Sequence, residues 1–146
     1  MTDDVLAKVA RSRDQVIKRI RRVLYVGPDG TVSPRGPVEL SFADGTTLLL
    51  DSGPDGEALK ADTATWVDPF KEPLTEDNRR FISKSGKWTA FDVTEEELFS
   101  RLIEQTILQV LLVTTMEGKI TGVMFQSSGG RLHAQVEGDE LALSVS

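Results

Sequence analysis

The chain has 146 residues, of which 39% are hydrophobic and 27% are charged, and its formal net charge is −6. This composition is ordinary for one globular domain. The absence of cysteine excludes disulfides, thiol catalysis and thiolate metal sites. No apolar stretch approaches the about 20 residues of a membrane-spanning helix, and the first residues lack a signal-peptide pattern. We therefore expect a cytoplasmic protein that does not act in a membrane.

Basic side chains are concentrated at the start of the chain. Residues 1–25 carry a net charge of +4, which leaves a net charge of −10 on the remaining residues. The start is either a basic arm for nucleic acid or anionic lipid, or a solvated face that complements the acidic body. The acidic body disfavours nucleic acid as a partner and suggests a basic protein partner instead.

The first predicted element is a helix that begins at Asp3 or Asp4, where acidic residues suit an N-terminus. Apolar residues then recur at three- and four-residue steps, which is the helical period: Val5, Leu6, Val9, Val16, Ile17, Ile20, Val23 and Leu24. The pattern predicts a helix that ends near Arg21, with a break near residues 12–14, followed by a strand over residues 23–26.

Residues 38–50 predict a β-hairpin around the three-residue loop Ala43, Asp44 and Gly45. This loop pairs Leu40 with Leu48 and Val38 with Leu50, so every apolar member falls on one face, and Gly45 supplies the positive φ of the turn. A two-residue loop would pair Val38 with Asp51 instead. A further strand is predicted over residues 58–66 after the turn at residues 53–56.

Residues 67–94 are predicted to connect two modules. Pro69 and Pro73 interrupt regular structure, and a short helix is predicted to open at residues 75–78 and to end before Gly86. Thr94 followed by Glu97 is typical of a capping box, and it predicts a second helix that ends near Gln105.

The remainder of the chain repeats the order of the first part. Apolar alternation predicts strands around residues 107–113, 120–125, 132–136 and 141–145. The matching order of helix, strands and turn glycines predicts an internal duplication with a pseudo-twofold relation. The expected fold is therefore α+β, a single domain over residues 1–146 made of two similar helix-plus-antiparallel-meander modules, at residues 1–66 and 95–146.

No catalytic or metal-binding constellation is present in the sequence. His133 is the only histidine and alternates with apolar neighbours, so it is expected on the outer face of a strand. Asp51, Asp55 and Glu57 lack the ligand spacing of an EF-hand loop. Nucleotide-binding glycine motifs and a serine-nucleophile motif are also absent. We therefore expect a protein that is not an enzyme and that has no cofactor and no metal.

The connecting segment holds the best candidate site because loops on a rigid scaffold often carry function. Its aromatic rings either cover the open end of the core or, for Trp66 and Trp88, form the anchors of a partner surface or a small-molecule cleft. The candidate binding residues are Trp66, Asp68, Phe70, Lys84, Lys87, Trp88, Phe91 and Asp92.

Three functions are compatible with these features. The first is a protein-interaction module. In its small size, acidic body and lack of catalytic residues the chain resembles bacterial immunity proteins, without a shared motif, and this resemblance implies an inhibitor of a basic toxin. The second is a small-ligand module with its cleft at the seam between the repeats. The third is an architectural homodimer that pairs strand edges, for which the uncharged strand over residues 141–145 is a candidate.

Overall fold

The computed structural model describes residues 2–70 and 72–146, and its architecture is α+β, as the sequence predicts. Two antiparallel sheets have the strand orders β4-β3-β2-β1-β5 and β6-β7-β8-β9. The elements, in chain order, are α1 (Thr2–Ala10), β1 (Ile17–Val26), β2 (Val38–Phe42), β3 (Thr47–Ser52), β4 (Leu59–Asp62), α2 (Glu76–Ser85), β5 (Lys87–Asp92), α3 (Glu97–Ser100), β6 (Ile107–Thr114), β7 (Ile120–Ser127), β8 (Gly130–Glu137) and β9 (Glu140–Val145).

The predicted hairpin over residues 38–50 is confirmed. Val38 pairs with Leu50 and Leu40 pairs with Leu48, and Gly45 has a φ of 88°. All four paired side chains are buried in the core, because the three-residue loop places the apolar residues of both strands on one face. The strand predicted over residues 58–66 is shorter than expected, since β4 covers only Leu59–Asp62.

The predicted helix that reaches Arg21 is wrong. The helix α1 ends at Ala10, and residues 17–26 form β1, between β2 and β5. A β-bulge explains the misleading pattern. The register of β1 against β2 shifts between Ile17 and Arg19, so Ile17 and Ile20 are both buried in the core although they lie three residues apart. An extra residue in a strand therefore imitates the spacing of a helix.

The connecting segment contains one element that the sequence predicts and one that it does not. The helix α2 has Thr75 as its N-cap, whose side chain accepts a hydrogen bond from the Asn78 N–H, and Gly86 follows its end. Residues 87–92, predicted to lie in the connection, instead form β5. This strand pairs with β1 along residues 21–26 and completes the five-stranded sheet.

The predicted capping box at Thr94 and Glu97 is wrong as well. The helix α3 covers only Glu97–Ser100, and its N-cap residue Glu96 makes no side-chain capping bond. Thr94 Oγ1 instead accepts a hydrogen bond from the Ile20 N–H at 3.1 Å, so its hydroxyl joins the connection to β1. The four strands that follow α3 are confirmed and form a meander of neighbouring antiparallel pairs.

The two meanders meet at an antiparallel bridge between Val16 and Thr106 with a local twofold pattern. Four backbone hydrogen bonds form two equivalent pairs. In the first pair, Asp14 N donates to Ile107 O and Glu104 N donates to Ile17 O, both at 2.7 Å. In the second pair, Ile17 N donates to Gln105 O at 3.1 Å and Ile107 N donates to Gln15 O at 2.9 Å. Asp14 and Glu104 also share a positive φ, at 71° and 66°. The two units are alike where they join, and the duplication itself remains a prediction.

One hydrophobic core lies between the sheets. Its buried members come from both sheets and from α1 and α3. They include Val9, Leu40, Leu48, Leu50, Phe99, Leu102, Phe125, Leu132 and Leu141. Each fully buried Leu or Phe contributes about 1.5–3 kcal/mol of transfer free energy, so the joint core fixes the position of one sheet on the other. The seam between the sheets is therefore a fixed boundary on which a site can be built.

Candidate functional site

Two of the predicted site residues, Trp66 and Trp88, line a common pocket of about 290 Å³. We call it the tryptophan pocket. It lies at one end of the five-stranded sheet, where the turn between β8 and β9 approaches β3. Its remaining lining residues are Val23, Gly36, Pro37, Leu49, Asp51, Ser52, Asp139, Glu140 and Leu141. Both sheets therefore contribute residues to the pocket.

Trp88 forms one wall of the tryptophan pocket. It lies on β5 opposite Tyr25 of β1, and the two rings meet edge to face with their centroids 5.6 Å apart. The Trp88 side chain remains 44% exposed. An aromatic ring that is fixed by a neighbour and still open to solvent presents apolar area at a low entropic cost.

Gly36 allows the chain to pass close to Trp88. A Cβ atom at this position would lie 2.1 Å from the Val23 carbonyl oxygen and 3.1 Å from the Trp88 ring, so a side chain would displace the backbone or the ring. Arg22 Nη2 donates a hydrogen bond to the Gly36 carbonyl at 3.2 Å, and the Gly36 N–H donates to the Leu141 carbonyl at 3.2 Å. These contacts hold Gly36, and with it the part of the pocket lining next to Trp88, against β9.

Trp66 is held through its backbone by a buried ion pair. Glu39, which is fully buried, accepts two hydrogen bonds from Arg21 at 2.8 Å. The same carboxylate accepts a hydrogen bond from the Trp66 N–H at 2.8 Å, and Arg21 donates to the Trp66 carbonyl at 3.1 Å. Charge-assisted hydrogen bonds are stronger than neutral ones, so this ion pair anchors the backbone of the loop residue Trp66 to β1 and β2.

Three carboxylates and no basic side chain are found among the described lining residues. Asp51 is half-buried, and this burial raises its pKa above the ordinary value. Asp139 and Glu140 are exposed at the turn between β8 and β9, and this turn is fastened to β3 by the hydrogen bond from Ser52 Oγ to the Asp139 carbonyl at 2.8 Å. The pocket therefore combines two indole rings with negative charge, an arrangement that suits a cationic group.

Three other predicted site residues lie together, away from the pocket lining. Lys87 forms an ion pair with Asp68 and lies 5.8 Å from the centroid of the Phe70 ring. Phe70 in turn stacks on Phe81 of α2, with centroids 5.7 Å apart. Burial raises the pKa of Asp68, but the hydrogen bond and charge of Lys87 outweigh it and leave that pKa below the ordinary value. This cluster attaches residues 68–70 to α2 and β5.

The last three predicted residues lie in separate places. Lys84 is exposed in the last turn of α2, and Phe91 packs against the core. Asp92 is exposed, and its Oδ1 accepts a hydrogen bond from the Thr94 N–H at 2.9 Å. The hydrogen bonds from Thr94 lower the pKa of Asp92, with a smaller effect from nearby arginines. Of the eight predicted residues, the structure thus brings Trp66 and Trp88 together in one pocket.

His133 lies outside this site. It is on β8, opposite Met124 of β7, and its Nε2 is 3.1 Å from Oε1 of Gln135. Over residues 2–70 and 72–146, no group of three or more histidine and acidic side chains is arranged to hold a metal ion. Among the pockets of the described residues, the tryptophan pocket is the one that brings two of the predicted site residues together.

Sequence reasoning missed the acidic side of the pocket. The sequence singles out Asp51 in the hairpin register and in the EF-hand test but not as part of a site with the tryptophans, although alternation with Leu48 and Leu50 places it on the face of β3 away from the core. Asp139 and Glu140 lie in a hairpin turn more than 70 residues from Trp66 in the sequence. No local signal links them to the tryptophans, because their proximity depends on the packing of the two sheets.

Comparison of the chain with known protein families, curated proteins and solved structures found no match. Among the helices that the structure describes, none has the length and apolar character needed to cross a membrane.

Proposed function

We propose that the protein is a cytoplasmic, non-enzymatic interaction module that binds a basic protein partner through the tryptophan pocket. In this proposal one lysine or arginine side chain of the partner enters between Trp66 and Trp88 and faces Asp51. The observation that carries the proposal is the pairing of two accessible indole rings with three carboxylates, with no basic side chain among the lining residues that the structure describes. The most specific version of this proposal is an immunity-type inhibitor of a basic toxin.

The energetics favour a cation over a neutral or anionic group. A cation over an indole ring gains about 0.5–2 kcal/mol, and a hydrogen bond to a charged group contributes about 1.5–3 kcal/mol. A cation beside Asp51 would also offset the burial that raises the pKa of this carboxyl. Binding therefore relieves an unfavourable feature of the free protein.

The remainder of the chain supports the same partner chemistry. The net charge of −6 would accelerate association with a basic protein, and salt would reduce this acceleration. Trp and Arg are the residues most often found at energetic hot spots of interfaces. We accordingly expect the complex to form more slowly as ionic strength rises.

A second candidate function is the binding of a small cationic metabolite in the same pocket. Its volume of about 290 Å³ is near the lower end of the range for small-molecule sites, and it could hold an ammonium or guanidinium group with a short chain. Titration of arginine amide and tetramethylammonium, followed by tryptophan fluorescence, tests this function directly. Saturable quenching below millimolar concentration would favour the metabolite.

The proposed function is tested by capture of the tagged protein from a lysate of its own organism, with partners identified by mass spectrometry. We expect one stoichiometric basic protein, which is lost with Asp51→Asn and with Trp88→Ala. Glu95→Gln makes the same change of charge at an exposed acid outside the pocket lining and should retain the partner.

Two results would contradict this proposal. One is a stoichiometric partner that remains bound to both pocket variants, and the other is a partner with an acidic contact surface. The thermal stability of each variant is measured in parallel, so that loss of binding is not confused with loss of folding. Asp51→Asn is the more informative variant, because removal of a half-buried charge is not expected to destabilise the fold.

A further inference from the structure

The strand β6 lies at an edge of the four-stranded sheet, and its only partner in that sheet is β7. At its start, Ile107 uses its N–H and carbonyl to bond Gln15 and Asp14. From residue 108 to residue 114 the side of β6 away from β7 faces no other strand among residues 2–70 and 72–146. This stretch presents a row of backbone donors and acceptors that another strand can use.

The equivalent strand of the first unit does not have such an edge. The strand β1 follows the local twofold bridge in the same way as β6, and both strands have a bulge one residue after Ile17 or Ile107. On the side away from its meander, however, β1 is covered by β5 over residues 21–26. By comparison with β1, the corresponding side of β6 is therefore a position where a further strand can pair.

The other three edges carry features that discourage pairing. The strand β4 has only four residues and lies against α1, with Lys8 Nζ 3.3 Å from the Ala61 carbonyl. Charged residues lie at both ends of β5, and the Leu141 carbonyl of β9 is already bonded to the Gly36 N–H. By contrast, β6 is eight residues long, and its sequence ILQVLLVT contains no charge and no proline. Charges and proline are the usual protections of an edge.

The side chains along β6 are also incompletely covered. Val110 and Leu112 face the core but remain partly exposed, and Leu111 and Val113 are half-buried on the opposite face. A neighbouring strand would cover apolar groups on both faces. We propose that β6 pairs antiparallel with β6 of a second copy, so that the two four-stranded sheets form one continuous eight-stranded sheet around a twofold axis.

A second copy fits this edge better than a different partner. Antiparallel pairing of a strand with itself is isologous, so each residue of β6 meets a residue of the same strand. Because β6 carries no charge, two copies meet without like charges opposite one another, although each chain has a net charge of −6. A basic partner, which the tryptophan pocket suits, would gain nothing from this uncharged strand.

The first test is sedimentation velocity over a concentration series of the intact protein. We expect the mass to rise from 16.0 kDa toward twice that value as concentration increases. Leu111→Lys places a charge on the outer face of β6 and should raise the dissociation constant at least tenfold. The matched control is Ser144→Lys, which adds the same charge on an exposed residue of β9, the other edge of this sheet.

The outcomes distinguish the alternatives. A monomer at every concentration overturns the proposal, and so does a dimer that is lost with Ser144→Lys but retained with Leu111→Lys, since that result assigns the interface to β9. Thermal unfolding of both variants verifies that each is folded. If the purified protein stays monomeric and instead forms a one-to-one complex with a different protein that is lost with Leu111→Lys, the β6 edge binds that other protein. This result would also overturn the proposal.

A distance measurement supplies an independent readout. The chain has no cysteine, so a single introduced cysteine is the only site for a spin label. In the eight-stranded sheet, Gln109 lies on one of the two central strands, so labels at Gln109→Cys should be closer together than labels at Ser144→Cys. Labels at Ser144→Cys are separated by seven strand spacings, about 34 Å. The reverse order of the two distances would refute pairing through β6.

Discussion

The buried carboxylate of Glu39 offers the most direct test of how the tryptophan pocket is built. Glu39→Gln keeps the shape of the side chain but removes the charge that accepts hydrogen bonds from Arg21 and the Trp66 N–H. Removal of one partner from a buried ion pair costs about 3–5 kcal/mol. Because the Arg21 side chain is 20% exposed, water recovers part of this, and we expect a loss of about 2–4 kcal/mol at pH 7.

The same variant has a defined pH dependence. Burial raises the pKa of Glu39, but hydrogen bonds from Arg21 and the Trp66 N–H, together with the charges of Arg21 and Arg19, outweigh it and hold this pKa below its ordinary value. An acid with a lowered folded pKa stabilises the fold above its unfolded pKa of about 4.3. This stabilisation is lost as the pH falls through the folded pKa. The difference between the two proteins should therefore shrink below about pH 4.

Urea unfolding followed by circular dichroism measures both effects. With a slope of about 2 kcal/mol per M urea, the expected loss lowers the unfolding midpoint by about 1–2 M at pH 7. The matched control is Glu76→Gln, which removes the charge of an exposed ion pair with Arg80 and should cost less than about 0.5 kcal/mol. A loss at Glu39 no larger than this control, or a difference that does not change with pH, would refute the reasoning.

Three further predictions concern the pocket and the corrected connection. Burial raises the pKa of Asp51, so the charge of this carboxylate destabilises the fold at neutral pH. Asp51→Asn should therefore raise the melting temperature at pH 7, and this gain should vanish as the pH falls below about 3.9. Gly36→Ala should cost about 1–3 kcal/mol in urea unfolding, because its Cβ would lie 2.1 Å from a carbonyl of the neighbouring strand. Thr94→Ala should lower the free energy of unfolding by about 1 kcal/mol, because the Ile20 N–H loses its acceptor. A double-mutant cycle with Glu97→Ala should show no coupling energy, whereas a capping box would give one.

Local patterns predicted the elements whose partners are close in the chain. The hairpin at residues 38–50 and the four strands after residue 106 pair with their sequence neighbours. Apart from the bulge in β6 after Ile107, the face of each apolar residue in these elements follows from alternation. The helix α2 was predicted for a similar reason, since Thr75 and Gly86 flank its ten residues directly.

Elements that depend on distant partners were mispredicted. The bulge in β1 gives Ile17 and Ile20 a helical spacing, and a helix at this position leaves residues 87–92 without a predicted strand to pair with. The sequence therefore places Trp88 in a connection, whereas the structure places it on β5. Thr94 matched a local capping pattern, but its hydroxyl is engaged by Ile20, which is 74 residues away.

The segment of residues 67–94 accounts for the differences between the two halves of the molecule. Both meanders leave the bridge at Val16 and Thr106 with the same hydrogen bonds and the same bulge. Only the first meander gains β5, and with β5 it gains Trp88 as a pocket wall. On the corresponding side of β6, the structure places no strand over the residues that it describes. The connecting segment thus supplies Trp88 to one wall of the tryptophan pocket, whereas β6 keeps the open side on which we propose that a second copy pairs.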